Sequence, residues 1–406
     1  MYTTTILSLI ISSFQPIFKL FYKKIRAQTI SSFLYAMILI ESNNFSIRKL
    51  KQYSNSSYNS LLNIFSKLKL KNQNEVGYII SSFLSHTIQK SHQAKVNECI
   101  LILDDTAHRK RMRKNPSVSK QYIGNIGKVD NAISHVLTSI VGLKNKIFKY
   151  KPKSHSIRKY VKIYMNNFKT YFSKKSSGVI EKKVEYKSKI ELGKELIDEA
   201  LNYANQLGIK ITHILFDAWY ASRGLLSYIY TIGKKFICEI KKNRKVIYNG
   251  KLIPVSSLVT ATTGSEDKVY HIILPQVGVV LLFFIRDTYT GRVRCIITND
   301  FDTPIERLKV IARLRYCIEY CFRQMKSYFN MSKFHFTDPK KVEVYLMFVM
   351  LLYNFYEYLL HTGILKRQFG CTTLGKLKEV LNCEFIQHHL NAVNSALLKH
   401  FGKKSK

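Results

Sequence analysis

Two short apolar runs that end in acids place the tightest limit on how this chain can fold. Cys99-Ile-Leu-Ile-Leu-Asp104-Asp105 and Ile211-Thr-His-Ile-Leu-Phe-Asp217 are continuously apolar, as strands buried on both faces are. Such strands occupy the middle of an α/β sheet. Residues just past their carboxyl ends project into the ligand crevice, so Asp105 and Asp217 become candidate site residues. Acids also end strands as turn or cap residues, and for Asp104 alone that ordinary reading is preferred.

A third acid stands in a cationic helix. Thr303-Pro-Ile-Glu306 supplies an N-cap, a proline at the first helical position and a capping-box glutamate, and it opens a predicted helix running to Lys326. Within it Arg315 lies four residues before Glu319, Arg323 four after and Lys326 seven after. At helical spacing the four side chains share one face. Alone, that stripe reads equally well as i,i+4 ion pairs worth ~0.3–0.5 kcal/mol each.

Charge favours the less ordinary reading. The 406 residues include 65 Lys and Arg against 26 Asp and Glu, a net charge of +39. That balance calls for a polyanionic partner, nucleic acid first. A+T-rich coding would inflate lysine but would not remove acids. A hydrophobic fraction of 46% excludes global disorder. Seven cysteines with no Cys-x-x-Cys pair argue against a disulfide framework or structural zinc and fit a reducing compartment. The apolar stretch Val344–Leu360 is short for a span and contains Asn354 and Glu357, so it reads as a buried helix.

Residues 1–96 read as a helical region. Ala27–Glu41 and Leu61–Leu70 have helical spacing, and Phe45–Ser54 with Ser57–Lys67 suggests a helix-turn-helix pair. Further strands are predicted at Asn131–Gly142 and Lys146–Lys151. A charged stretch over 152–189 reads as a mobile surface excursion, and Ile190–Leu207 as a helix ending at Gly208. Short β segments follow at Phe236–Ile240, Val246–Tyr248, Val269–Leu274, Val279–Ile285 and Val293–Thr298. The resulting divisions are 1–96 (helical, DNA-binding), 97–234 (core, first part), 235–300 (β-rich insertion), 301–360 (core, second part) and 361–406 (basic C-terminal region).

Three carboxylates on separate elements can hold two Mg²⁺ ions for in-line phosphoryl displacement. The sequence here resembles the ribonuclease H-like DDE transposases of insertion sequences, in the group with a Tyr-x2-Arg-x3-Glu-x6-Lys signature. Arg315, Glu319 and Lys326 match that spacing, while Ala312 stands where the tyrosine would fall. Leu103-Asp-Asp-Thr106, followed by Gln121-Tyr and Gly127-Lys128, is similar to the first-acid region. Phe216-Asp-Ala-Trp-Tyr220 resembles the second-acid motif.

The resemblance implies a ribonuclease H-like mixed sheet flanked by helices, with an all-β insertion between the second and third acids. It assigns Asp105, Asp217 and Glu319 to catalysis and metal binding, with Asp105 preferred over Asp104 because Thr106 follows it. Arg315, Arg323, Lys326 and Lys128 become phosphate contacts. The implied cofactor is a pair of Mg²⁺ ions, for which Mn²⁺ can substitute. Implied partners are double-stranded DNA, at element ends and target, and a second copy of the chain; no membrane is implied. The implied location is the cytoplasm, on the nucleoid. A catalytically inactive DNA-binding relative and a non-transposing nuclease of the same fold are the alternatives. Trp219 and Tyr220 read as core packing ahead of base stacking.

Overall fold

A computed structural model describes residues 6, 8–14, 27–40, 46–54, 56–68, 98–110, 115–143, 147–148, 161–181, 183–260, 268–286 and 291–401. The chain forms two compact units, one of residues 94–323 and one combining 1–93 with 324–406.

The 94–323 unit is built on a single sheet of eleven strands: β1 (Cys99–Arg109), β2 (Ser119–Ile123), β3 (Lys128–Leu143), β4 (Val161–Tyr171), β5 (Ile211–Phe216), β6 (Lys235–Ile240), β7 (Lys245–Tyr248), β8 (Lys251–Pro254), β9 (Tyr270–Leu274), β10 (Gly278–Arg286) and β11 (Val293–Thr298). Its centre runs β4-β3-β1-β5-β6, with β3 antiparallel to both β4 and β1. Strands β5 and β6 run parallel to β1. This is the ribonuclease H-like mixed sheet that the sequence predicts. The two apolar runs become β1 and β5, side by side in register Ile100↔His213 to Ile102↔Leu215.

The β-rich stretch does not stand apart from that sheet. Strand β6 completes the parallel set, and β11 pairs antiparallel with its other edge, through Ile297↔Cys238. Strands β10, β9, β7 and β8 continue outward in that order. A six-residue helix, Val255–Thr260, interrupts the otherwise β segment.

One face of the sheet is covered by helices Lys189–Gln206 and Arg223–Thr231, the crossovers between β4 and β5 and between β5 and β6. Leu101, Leu103 and Val136 meet Leu196 and Ile197 there, and Phe216 and Phe236 meet Leu225. Each such side chain, fully buried, contributes about 1.5–3 kcal/mol.

The stretch 152–189 departs from its sequence reading as a mobile surface excursion. It contains β4, whose residues are buried apart from half-buried Tyr171, and a short helix, Ser177–Ile180. Two of the lysines that suggest a solvated loop, Lys162 and Lys169, are buried in β4. Lys169 Nζ lies 2.8 Å from both Glu195 and Glu199 of helix Lys189–Gln206. Burial alone would lower the lysine's pKa, and the two glutamates raise it. Of the strand predicted at Lys146–Lys151, only residues 147 and 148 are described, and they are helical.

The same logic holds the amino ends of β5 and β6. Asp300, fully buried after β11, accepts from Lys235 Nζ at 2.6 Å and lies 2.8 Å from His213 Nε2. Burial pushes its carboxyl up, but Lys235, Thr303 and His213 outweigh burial and hold it well below the usual range.

In the other unit, helix Pro339–His361 is buried almost throughout, starts at an Asp338 cap and carries buried Asn354 and Glu357, the latter 3.0 Å from His361 Nε2. Among the described residues no helix is long and apolar enough to cross a membrane. Helix Ala27–Leu39 and helix Tyr58–Lys67, capped by Ser57, agree with the N-terminal spacing. Between them lie Ile47–Leu50 and a 3-10 turn, Lys51–Tyr53.

Asp300→Asn is expected to cost about 1–3 kcal/mol at neutral pH, since it removes the buried carboxylate that Lys235 and His213 share and leaves Lys235 only Asp302. Because the folded-state pKa is depressed, that contribution is present in full above the unfolded value of about 3.9, declines below it and is gone once pH has fallen through the lower folded-state value. Urea unfolding of both proteins at pH 7 and in the acid range should show the gap between them closing at low pH.

Candidate active site at the carboxyl ends of β1 and β5

Strand alternation sends the two adjacent acids of β1 to opposite faces. Asp105 follows Leu101 and Leu103 onto the helix-covered face and pairs across the sheet with Val136. Asp104, opposite Leu137, takes the other face. There its Oδ2 accepts from Arg315 Nη1 at 3.3 Å, and the same guanidinium pairs with Glu319 through Nη2.

Asp217 stands one residue past β5. Its Oδ1 accepts the backbone N–H groups of Trp219 at 2.9 Å and Tyr220 at 3.1 Å, which fixes the turn. Burial raises the Asp217 pKa; those amides and Arg315 pull it down, and Asp105 pushes it up again. Burial pushes the Asp104 carboxyl up to about 8; Arg315 opposes this, while Asp217 and Asp105 add to it. Arg315 has a raised pKa, because Glu319, Asp104 and Asp217 outweigh its own burial. Three acids from three elements thus converge on one arginine.

Asp105 has a cation of its own. Lys189 Nζ donates to Asp105 Oδ2 at 2.6 Å and lies 5.3 Å from the Tyr171 ring centroid and 5.5 Å from that of Trp219. The sequence reading missed Lys189, yet it left a signal. Ser188 and Glu191 form a capping box, so Lys189 is the first helical residue. A cation there opposes the helix dipole and needs a nearby anion.

The cationic helix is not continuous as predicted. It divides into Ile305–Arg313 and Tyr316–Tyr328, with Arg315 in the turn between them. Leu314 N–H bonds back to Ile311 at 2.8 Å and Cys317 N–H to Leu314 at 2.8 Å, tight i→i−3 spacings that end one helix and start the next. The predicted capping box is also absent. Pro304 occupies the cap position without a side-chain bond, Glu306 pairs with Lys309, and Asp300 takes the Thr303 amide.

Arg323 is exposed and donates to Tyr316 Oη at 2.6 Å. Lys128 is exposed at the start of β3. Lys326, in the last turn of its helix, falls in the other unit. The structure therefore sets Asp104 and Glu319 on Arg315 with Asp217 beside them, gives Asp105 to Lys189 on the other face of β1, and leaves Arg323 and Lys128 at the surface. Ala312 is buried.

Every candidate ligand is a carboxylate, the donor type that suits Mg²⁺. Among the described residues no three acids, cysteines or histidines are gathered closely enough to hold an ion; Asp104 and Glu319 pair with Arg315 on one face of β1, and Asp105 pairs with Lys189 on the other.

A family model described as Transposase DDE domain matches residues 146–355, just over half of the chain. The chain belongs to the DDE transposase family. No curated protein matches it. Members of this family are transposases that carry out metal-dependent phosphoryl transfer on DNA, so this transposase acts on DNA with divalent metal. The matched segment contains Asp217 and Glu319 and begins after β1, so Asp104 and Asp105 enter the site through the sheet alone.

Gly193 lets helix Lys189–Gln206 approach β1; a Cβ there would lie 3.0 Å from Leu103 Cδ2 and 3.7 Å from the Tyr220 ring. Gly193→Leu is expected to cost about 1–3 kcal/mol by overpacking the strand that carries the acids, read as a lower urea midpoint.

Proposed function

We propose that this transposase belongs to an insertion sequence, binds the inverted repeats at its ends and joins them to new DNA. The observation that supports this most directly is the gathering of Asp104, Asp105, Asp217 and Glu319 at the carboxyl ends of β1 and β5. Asp105, Asp217 and Glu319 form the catalytic triad and hold two Mg²⁺ ions. Bound there, the ions supply the charge that activates a water or a 3′-hydroxyl and stabilises the leaving oxygen.

The residues of the chain do the rest. With metal held by the carboxylates, the Arg315 guanidinium would be left to take a DNA phosphate, as would Arg323, Lys326 and Lys128. The turn after β5 holds Asp217 through two backbone amides, so its carboxylate reaches the reacting phosphate already oriented. Hydrolysis of one strand leaves a 3′-hydroxyl, whose attack on a target phosphodiester releases a new 3′-hydroxyl and completes the transfer. Residues 1–96 supply DNA recognition, and two copies of the chain bring two ends together.

Asp105→Asn, Asp217→Asn and Glu319→Gln should each abolish Mg²⁺-dependent nicking of DNA carrying the element ends, with binding to that DNA retained. Persistent nicking in all three sinks the proposal. An inactive Asp104→Asn beside an active Asp105→Asn would move the first ligand one residue along β1. Strand transfer of a pre-cut end separates a transposase from a nuclease of the same fold.

Arg315→Gln should lower the Tm in chelator, because it leaves Asp104 and Glu319 without their cation, by an amount corresponding to about 3 kcal/mol. Added Mg²⁺ should recover much of that loss if the same acids take the ions.

A further inference from the structure

The amino ends of β5 and β6, at the opposite end of the sheet from the acids, border a cavity of about 440 Å³. The six residues of β5 lie between Lys210 on its wall and Asp217, a span of roughly 20 Å in extended chain. Four cations and two acids line it: Lys210, Lys234, Lys235 and Arg307 against Glu98 and Asp302. Both acids are already paired. Arg307 Nη2 lies 2.5 Å from Glu98, and its guanidinium stacks 4.1 Å from the Phe148 ring centroid. Lys235 Nζ lies 2.9 Å from Asp302 and 2.6 Å from buried Asp300, which also binds His213 on the cavity wall. Among the described residues Lys210 and Lys234 pair with no carboxylate. Each follows a left-handed glycine, Gly208 or Gly233, that ends a crossover helix, so the two lysines arrive on adjacent parallel strands. Thr303 and Pro304 border the same space at the positive end of helix Ile305–Arg313.

We propose that this cavity binds a phosphate monoester carried by a nucleotide, free or at the 5′ end of a DNA strand. A monoester carries a charge of about −1.5 to −2 at neutral pH, which the two unpaired lysines match. A phosphodiester within a strand carries less and continues on both sides, whereas a terminal group can enter a walled space. Arg307 is held in place by Glu98 and Phe148 and keeps further N–H donors for the phosphate oxygens. Glu98 and Asp302 retain lone pairs that can accept from the hydroxyl and amino groups of the nucleotide. The volume falls within the ~300–1,000 Å³ of small-molecule sites, so a sugar and base fit behind the phosphate. Lys210 and Lys234 are the residues on which the charge recognition depends. The site lies apart from the acids, and its occupation does not depend on metal held there.

The full chain is titrated in chelator with three probes: a single-stranded oligonucleotide with a 5′-phosphate, the same oligonucleotide with a 5′-hydroxyl, and deoxyadenosine 5′-monophosphate. A cavity that takes strand ends should bind the phosphorylated oligonucleotide about ten-fold more tightly than the hydroxyl form. A cavity that takes free nucleotides should bind the monophosphate and leave the two oligonucleotides equal. In either case the double variant Lys210→Gln, Lys234→Gln should remove the phosphate-dependent binding. Lys245→Gln with Lys251→Gln, the same charge change on β7 and β8, should keep it. Binding of the hydroxyl oligonucleotide within about two-fold of the parent shows that a variant is folded.

Failure of both monoesters to bind above the hydroxyl oligonucleotide would overturn the proposal. Equal losses in the two double variants would overturn it too, by assigning the binding to the overall charge of the chain. Absent nicking with the lysine-dependent phosphate binding intact would instead overturn the proposed reaction and leave the cavity site standing.

Discussion

The Arg315 guanidinium makes it possible for acids to lie together at the end of β1 and β5. Asp104 and Glu319 both bind it, and Asp217 feels its charge. Burial still pushes the Asp104 carboxyl up to about 8, and without that cation the carboxylates would repel one another further and shed more of their charge. The arginine comes from the turn between two helices, so that turn, the third acid and the first strand are held as one electrostatic unit. A second cation, Lys189, does the same for Asp105 on the opposite face of the strand. Asp104, Asp105 and Glu319 are thus each paired with a cation of the same chain.

The central strands were legible because burial on both faces leaves a continuous apolar run, and the terminal acids stood out in a chain so short of acids. The β segments after Lys235 were legible from turn residues alone, with Lys251–Pro254 the strand that spacing did not reveal. Strand β4 was hidden by its lysines, since a sequence does not display the glutamates of the following helix, the nearer 26 residues on, that neutralise Lys169. Lys189 was hidden for the same reason: its partner lies 84 residues earlier in the chain. The predicted capping box failed because Asp300, anchored by Lys235 and His213, competes for the same amide.

Which of two neighbouring acids faces a helix is a question of strand parity. The motif resemblance favours Asp105, yet parity puts Asp104 on the side of Glu319 and gives Asp105 to Lys189. Spacing along a chain identifies the pair, and the pleat of the strand separates its members. Trp219 and Tyr220 show the same division on a turn, where adjacent aromatics take opposite environments.

The β stretch after β6 is joined to the central sheet through β11 and not through a flexible tether. Strand β11 therefore acts as a shield for the edge of β6. Without it, the backbone donors and acceptors of Phe236, Cys238 and Ile240 would form an open, apolar edge of the kind that recruits strands from other molecules. Strands β7 to β9 can vary in length without baring that edge. For the solubility of the whole transposase, the indispensable part of the insertion is the strand that returns last.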